Sequence, residues 1–394
     1  MMDNAQPQAQ SGQTATCAPV RIAVIGAGTI TQSVHLPGLV RLAALFDLRM
    51  VCDISPTRAT EVARLYGPNV RATCDPAEVL AADDVDAVLL ATPGAHAELA
   101  GAALSAGKHV LAEKPLCLTA REAKELAAQA ERAGRVLQVG YMKMYDPIIE
   151  MANLQLAQLD QPRLVRISVL HPADWPQVKH IRMTTHDDFD PATLTPHLDY
   201  EEYRITEALG DVPKPFRNYY RDVLCGSVIH ELSVLRALGI QLPRSFEHVT
   251  VWPWPVDNEP PCLLAVGQVG AGTELVLSWN WLPGYPEYSE EVAVFAANGR
   301  IRISMSAPYL LEERSCMRSE RAEGDMRADT TFFGGRDSGF VRQLEEFAAC
   351  ARQGSRPRSD ATGAAEDLGC LQALVAALAS GFGVTLGGKT GGSA

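Results

Sequence analysis

From Val20 to about Tyr141, short apolar runs alternate with longer segments in which Ala and Leu recur at helical spacing. Arg21–Ile25, Leu48–Cys52, Ala87–Ala91, His109–Ala112 and Val136–Val139 read as strands. Thr29–Phe46, Pro56–Tyr66, His96–Ala106 and Thr119–Ala133 read as the helices between them. The last opens on a capping box, Thr119-Ala120-Arg121-Glu122, and stops at Gly134. Apolar strands separated by helices predict a mainly parallel sheet covered on both faces.

After Pro147 the texture changes. A helix over Ile148–Leu159 leads to a strand, Arg163–Leu170, and then to a long stretch, His171–Arg221, dense in Pro, His, Asp and Tyr. A helix around Ile229–Leu238 precedes five strand-like runs: Val249–Trp254, Leu263–Val269, Glu274–Trp281, Glu291–Ala296 and Arg300–Met305. Gly270-Ala271-Gly272 and Asn298-Gly299 supply turns, the second typical of a tight antiparallel hairpin. Leu311–Asp337 is charged and reads as an irregular surface loop, and Phe340–Arg352 and Ala364–Ala379 read as closing helices. The predicted class is α/β: a doubly wound N-terminal domain over 20–142, then an α+β domain over 143–386 with an open, mainly antiparallel sheet. Residues 1–19 and 387–394 read as loose tails. No internal repeat is visible.

At 394 residues and 47% hydrophobic, the chain can bury two sizeable cores. A formal charge of -12 argues against nucleic acid or an anionic membrane as partner. The nine cysteines are scattered and never spaced Cys-x-x-Cys, which reads as reduced thiols rather than a disulfide scaffold or zinc knuckle. No apolar run reaches the roughly 18 residues a membrane span needs. The N-terminus lacks a signal peptide's apolar centre, so the expected compartment is cytoplasmic.

Candidate chemistry gathers at the ends of the predicted parallel strands. The first strand opens into Gly26-Ala27-Gly28-Thr29-Ile30-Thr31. Gly26 permits a tight turn, and Gly28 lets backbone amides approach a pyrophosphate at a helix N-terminus. Thr31 replaces the third glycine of that fingerprint. Asp53, ending the second strand, can accept both ribose hydroxyls of an adenosine and would repel the extra phosphate of NADP. NAD is therefore favoured, with NADP the second candidate because Arg58 follows five residues on. Thr92-Pro93 ends another strand at the ligand edge, and His96 opens the next helix, as a structural cap or as a catalytic group. Glu113-Lys114-Pro115 ends the fifth strand, where a lysine can touch both a substrate hydroxyl and the nicotinamide ribose. To act as a base near neutrality, its pKa must fall by about 3 units.

These motifs, in this order, resemble the Gfo/Idh/MocA oxidoreductases, the family of glucose–fructose oxidoreductase and inositol dehydrogenase. The resemblance also rests on His35-Leu36-Pro37, Gly107 to Leu116, Val139-Gly140-Tyr141 and the two closing helices. It implies an N-terminal Rossmann domain, a C-terminal sheet that supplies the substrate pocket, and a homo-oligomer, dimer or tetramer. It also implies transfer of hydride between nicotinamide and a secondary alcohol or ketone of a sugar, cyclitol or polyol. Gly26, Gly28, Thr29, Ile30, Asp53, Thr92, Pro93, His96, Glu113 and Lys114 would then bind the cofactor. Lys114 and His230 would be catalytic, and Lys114, Lys143 and His230 would meet the substrate, with no metal. Two departures stand out. The family's second-domain aspartate, four residues before the histidine, is Gly226 here, with Ser227, Tyr219 and Tyr220 as candidates to stand in. At Lys143-Met144-Tyr145 relatives carry an arginine and an aromatic residue. The scaffold also hosts double-bond reductases, NAD-assisted glycoside cleavage and non-catalytic nicotinamide-binding regulators.

His171, His180, His186 and His197 cluster in sequence with Asp187, Asp188 and Asp190. No pair sits at a defined ligand spacing. The segment reads instead as loops over the pocket mouth.

Overall fold

The computed structural model describes residues 18–254, 259–270 and 272–387. Residues 1–17 and 388–394 of the expected tails, Cys17 among them, and Ala271 of the expected turn lie outside the described residues.

Six parallel strands form the first sheet: β1 (Val20–Ile25), β2 (Phe46–Cys52), β3 (Arg71–Thr73), β4 (Ala87–Leu90), β5 (His109–Ala112) and β6 (Leu137–Val139). Their order is β3-β2-β1-β4-β5-β6, so the connections reverse direction between β1 and β4. A crevice opens there at the carboxyl ends of the strands, which is where doubly wound sheets take ligands. β3 and the helix Pro76–Ala81 were not legible in the sequence. β3 has three residues and is largely exposed, so it carries no apolar run.

The expected single helix over Thr29–Phe46 is broken. A π turn, Thr31–His35, precedes the α-helix Leu36–Arg41, and Phe46 already belongs to β2. Pro37 lacks the N–H that the Ser33 carbonyl would receive, and the backbone widens just before it. The helix Ala120–Ala133 has the expected ends: the Thr119 hydroxyl accepts from Glu122 N, and Gly134 closes it at φ +59°.

The second sheet has eight strands: β7 (Pro162–His171), β8 (Phe246–Trp252), β9 (Cys262–Val269), β10 (Thr273–Trp281), β11 (Ser289–Ala296), β12 (Gly299–Met305), β13 (Cys316–Glu323) and β14 (Met326–Phe333). Their order is β14-β13-β12-β11-β7-β10-β9-β8, antiparallel throughout except for the β7–β10 pair. β11 and β12 close across Ala297-Asn298, with Ala296 opposite Gly299.

Two expectations are corrected. Leu311–Asp337 is not an irregular loop, because it contains the β13–β14 hairpin at the sheet edge. Its strands carry charge instead of apolar alternation: Arg318 pairs across to Asp329, and Arg300 on β12 pairs with Glu320 at 2.8 Å. Cross-strand ion pairs and an exposed edge account for that composition. His171–Arg221 is not all loop either. It holds helices Asp174–Val178, Thr195–Leu209 and Lys214–Asn218. Thr195–Leu209 buries Ile205, Ala208 and Leu209 only in its last turns and otherwise docks through polar groups, Arg204 Nε lying 3.0 Å from the Glu122 carboxylate, so its apolar signature is short.

The helix Gly339–Gln353 packs Leu344 and Phe347 onto Ile22, Leu89 and Leu111 of the first sheet. The helix Ala361–Gly381 contributes Leu371, Leu374 and Val375 to a core that holds Val88 of the first sheet and Ile167 of the second. The two sheets therefore share one continuous apolar core, which fixes the cleft between them. No helix among the described residues is long and apolar enough to cross a membrane.

Candidate active site

The β1 turn leaves room for a pyrophosphate. Gly26 has φ +95°, and a Cβ there would lie 2.6 Å from the Ala91 carbonyl. A Cβ on Gly28 would meet nothing within 4 Å, so the space above the turn is open. Thr31, at the position of the absent third glycine, is buried, and its hydroxyl ties the helix to the turn by donating to Gly26 O at 2.6 Å. Thr29 is exposed and Ile30 half-buried beside the cleft. Asp53 is buried at the end of β2, accepting from Ala27 N at 2.8 Å and Ser55 N at 2.9 Å. Arg58 adds an ion pair at 3.2 Å. An open cradle with a carboxylate anchored to its floor fits a dinucleotide.

His96 braces the ligand edge. Its ring is buried, with Nδ1 3.0 Å from Pro115 O and Nε2 3.0 Å from Thr92 O. It thus links the turn after β4, which carries Thr92 and Pro93, to the turn that carries Lys114. Burial lowers its pKa against the pull of those carbonyls. Glu113 faces the β1 helix instead of solvent: Oε1 is 2.7 Å from His35 Nε2, and Oε2 accepts from Lys114 N at 3.2 Å. Burial pushes its pKa up, but the His35 hydrogen bond and the nearby His35, Lys114 and His96 charges together outweigh this, and the net shift is downward.

Lys114 and His230 open on one cavity of about 310 Å³ that also touches Thr92, Gly226, His171 and Tyr309. Lys114 Nζ donates to the backbone carbonyl of Gly226 at 2.5 Å. The position that carries an aspartate in the family pattern thus meets the lysine with its main chain. A ten-residue π-helix, Tyr219–Val228, presents that carbonyl, and the α-helix Ile229–Ala237 continues from it. Such widened turns leave carbonyls outside the regular ladder and recur at functional sites. Burial pushes the Lys114 pKa down, opposed by Glu113.

His230 Nδ1 is buried without a hydrogen-bond partner among the described residues. Burial, then the Lys114 and Lys143 ammoniums, drive its pKa well below 6.5. The ring is therefore neutral at physiological pH. Of the residues considered to replace the aspartate, Ser227 lines the cavity but accepts from Trp279 Nε1 at 2.9 Å. Tyr220 donates to Leu118 O at 2.8 Å in the core, and Tyr219 is buried with its hydroxyl unpartnered among the described residues.

Lys143 sits under the cavity in a buried charge cluster. Nζ is 3.1 Å from Glu231 and from the Tyr288 hydroxyl, and also contacts Glu290. Burial opposes its charge, but Glu290, Tyr288 and Glu231 outweigh it and the pKa is raised. Burial in turn raises Glu231. Tyr288 and Tyr309 of the cavity wall and Glu290 beside Lys143 are far from Lys114 in sequence, and no local motif announces them, whereas His171 and Asp174 bring the start of the His-rich stretch to the cavity.

The histidine-rich segment disperses. His171 stacks on Trp281 at 5.4 Å in the cavity wall, His186 pairs with Glu61, and His197 approaches Glu201. Among the described residues no three His, Cys, Asp or Glu are grouped to hold a metal.

Comparison with known proteins agrees with this geometry. The family model for the Gfo/Idh/MocA oxidoreductases, described as an NAD-binding Rossmann fold, matches residues 20–141. An inositol 2-dehydrogenase from Rhodococcus erythropolis is 35% identical over 194 residues, 49% of this chain and 53% of its own length. A 4-carboxy-2-hydroxymuconate-6-semialdehyde dehydrogenase from a Sphingobium species is 38% identical over 129 residues, 32% of this chain and 40% of its own. The chain thus spans about half the length, or less, of these curated relatives. Among solved structures, a 3-ketoreductase from Actinomadura kijaniata, crystallised with TDP-benzene and NADP, superposes with a TM-score of 0.67 at 20% identity. That match covers 90% of this chain and 96% of the other, and shows the shared fold. Residues 20–141 thus match the NAD-binding Rossmann domain of the Gfo/Idh/MocA oxidoreductase family.

Proposed function

We propose that the chain is an NAD-dependent dehydrogenase acting on a secondary alcohol of a sugar, cyclitol or related polyol, or on the ketone in reverse. One observation carries the reading: Lys114 of the nucleotide-binding sheet and His230 of the second domain open on the same cavity at the ligand edge. Bound NAD would supply the hydride acceptor, held by the Gly26–Gly28 turn and Asp53. Burial disfavours the charged form of Lys114, so its amine is set to take the hydroxyl proton, while Gly226 O fixes where Nζ lies. His230, neutral, orients the substrate by a hydrogen bond rather than by carrying charge. Lys143 is saturated by Glu231, Glu290 and Tyr288, and its part is to hold the Tyr288 hydroxyl in the wall. Relatives named inositol 2-dehydrogenase support a polyol as substrate.

The test is NADH formation by the purified chain across inositols, sugars and sugar nucleotides, with NADP in parallel. Stoichiometric NADH with at least one polyol is expected. Absence of dinucleotide uptake contradicts the reading.

A further inference from the structure

Thr184 to Asp188 run from the second domain across the adenosine end of the nucleotide crevice. Gln32, in the helix that follows the glycine turn, grips the main chain there. Its Nε2 donates to Thr184 O at 2.9 Å, and Thr184 N donates to its Oε1 at 2.8 Å. Arg58 donates to His186 O, and His186 Nε2 lies 3.1 Å from Glu61. The Asp188 carboxylate then accepts from the Ser55 and Thr57 hydroxyls, and from Thr57 N at 3.2 Å.

Ser55 caps the helix Pro56–Tyr66, two residues beyond Asp53. Two hydroxyls and an amide at a helix start make an anion-binding corner, and a carboxylate from the other domain fills it. Hydrogen bonds from Ser55 and Thr57 hold the Asp188 pKa down to about 2, so the group is ionised at neutral pH.

The charges facing this corner decide what it admits. Asp53 is paired with Arg58, which offsets the repulsion that Asp53 alone would offer to a 2′-phosphate. Asp187 lies 3.8 Å from Arg58, and the Glu61 carboxylate lies 3.1 Å from His186 Nε2. Among the described residues Asp188 forms no ion pair and accepts only from neutral donors. Residues just after the acid of the second strand are where dinucleotide folds accommodate a 2′-phosphate.

We propose that Asp188 selects against 2′-phosphorylated dinucleotides, occupying from the second domain the hydroxyl and amide donors that the phosphate would need. This deepens the dinucleotide reading above and rests on it. The corner is made of Ser55 and Thr57; Asp188 sets its sign.

Equilibrium binding of NADH and NADPH to the full chain, read by nicotinamide fluorescence without substrate, tests this in wild type, Asp188→Asn and Asp188→Ala. Wild type is expected to prefer NADH. Asp188→Asn, which keeps the side chain's shape, should tighten NADPH about ten-fold and leave NADH within about three-fold. Asp188→Ala should change the NADPH-to-NADH ratio in the same direction. A ratio unchanged in both variants, equal weakening of both nucleotides, or a wild type that favours NADPH overturns the inference while leaving the dinucleotide reading intact. Failure of every form to bind either nucleotide overturns both.

Discussion

Lys114 Nζ lies 2.5 Å from the carbonyl oxygen of Gly226, so a lysine from one domain is positioned by the main chain of the other. The absent aspartate is replaced by a backbone dipole. A carbonyl accepts from Lys114 without adding a formal charge, and so does less than a carboxylate to hold the ammonium protonated. Burial of Lys114 acts in the same direction.

Because the carbonyl and not the side chain does this, Gly226→Ala should be tolerated. A Cβ there would make only an ordinary contact, 3.5 Å from Arg221 O. Replacing a helical glycine by alanine should add about 0.5–1 kcal/mol to stability in urea unfolding. Turnover should stay within about three-fold, since the lysine's partner is unchanged. Loss of activity in a folded Gly226→Ala protein would show that the carbonyl is not what positions Lys114.

The pH dependence follows from two downward shifts. Lys114 must be neutral to accept a proton, so kcat/KM for alcohol oxidation should rise with pH through one limb. That limb lies below the ordinary lysine value of 10.5. His230 is already neutral, its pKa lying well below 6.5, and should add no limb between pH 6 and pH 7. A histidine limb in that range, lost in His230→Ala, would contradict this division of roles.

Lys143 forms ion pairs with both Glu231 and Glu290 under the cavity. Lys143→Met would leave two buried carboxylates facing each other and should cost about 3–5 kcal/mol in unfolding free energy. Glu231→Gln, which keeps Glu290 paired with Lys143, should cost markedly less. Equal stability of Lys143→Met and wild type would mean that the cluster does not hold the site together.

His96 is wedged between two carbonyls on adjacent turns, its neutral ring donating to one and packing against the other, and its removal should loosen Thr92 and Lys114 together. His96→Ala is expected to lower kcat more than it raises KM, by up to about a hundred-fold, because misplacement acts on the reacting geometry. A kcat unchanged from wild type would reduce His96 to a helix-start residue.

The parallel sheet was legible because its strands are apolar and lie between helices with clear ends, Thr119 and Gly134 being the plainest. The edge pieces were not. β3 is too short to show a pattern, and the β13–β14 hairpin is stabilised by pairs such as Arg318–Asp329 that read as loop composition. At the site, Lys114 and His230 were visible because each sits beside a strand or helix terminus with a recognisable neighbourhood. Tyr288, Glu290 and Tyr309 were not, since their approach depends on how the second sheet folds onto the first. Gly226 looked like a loss in sequence, because side chains are legible there and carbonyl directions are not.

The most direct test of the account compares wild type with Lys114→Ala for nicotinamide reduction by an accepted polyol, alongside NADH binding. The account predicts a fall in kcat of about a thousand-fold with nucleotide affinity retained. Turnover within a few-fold of wild type in the Lys114→Ala protein would contradict it.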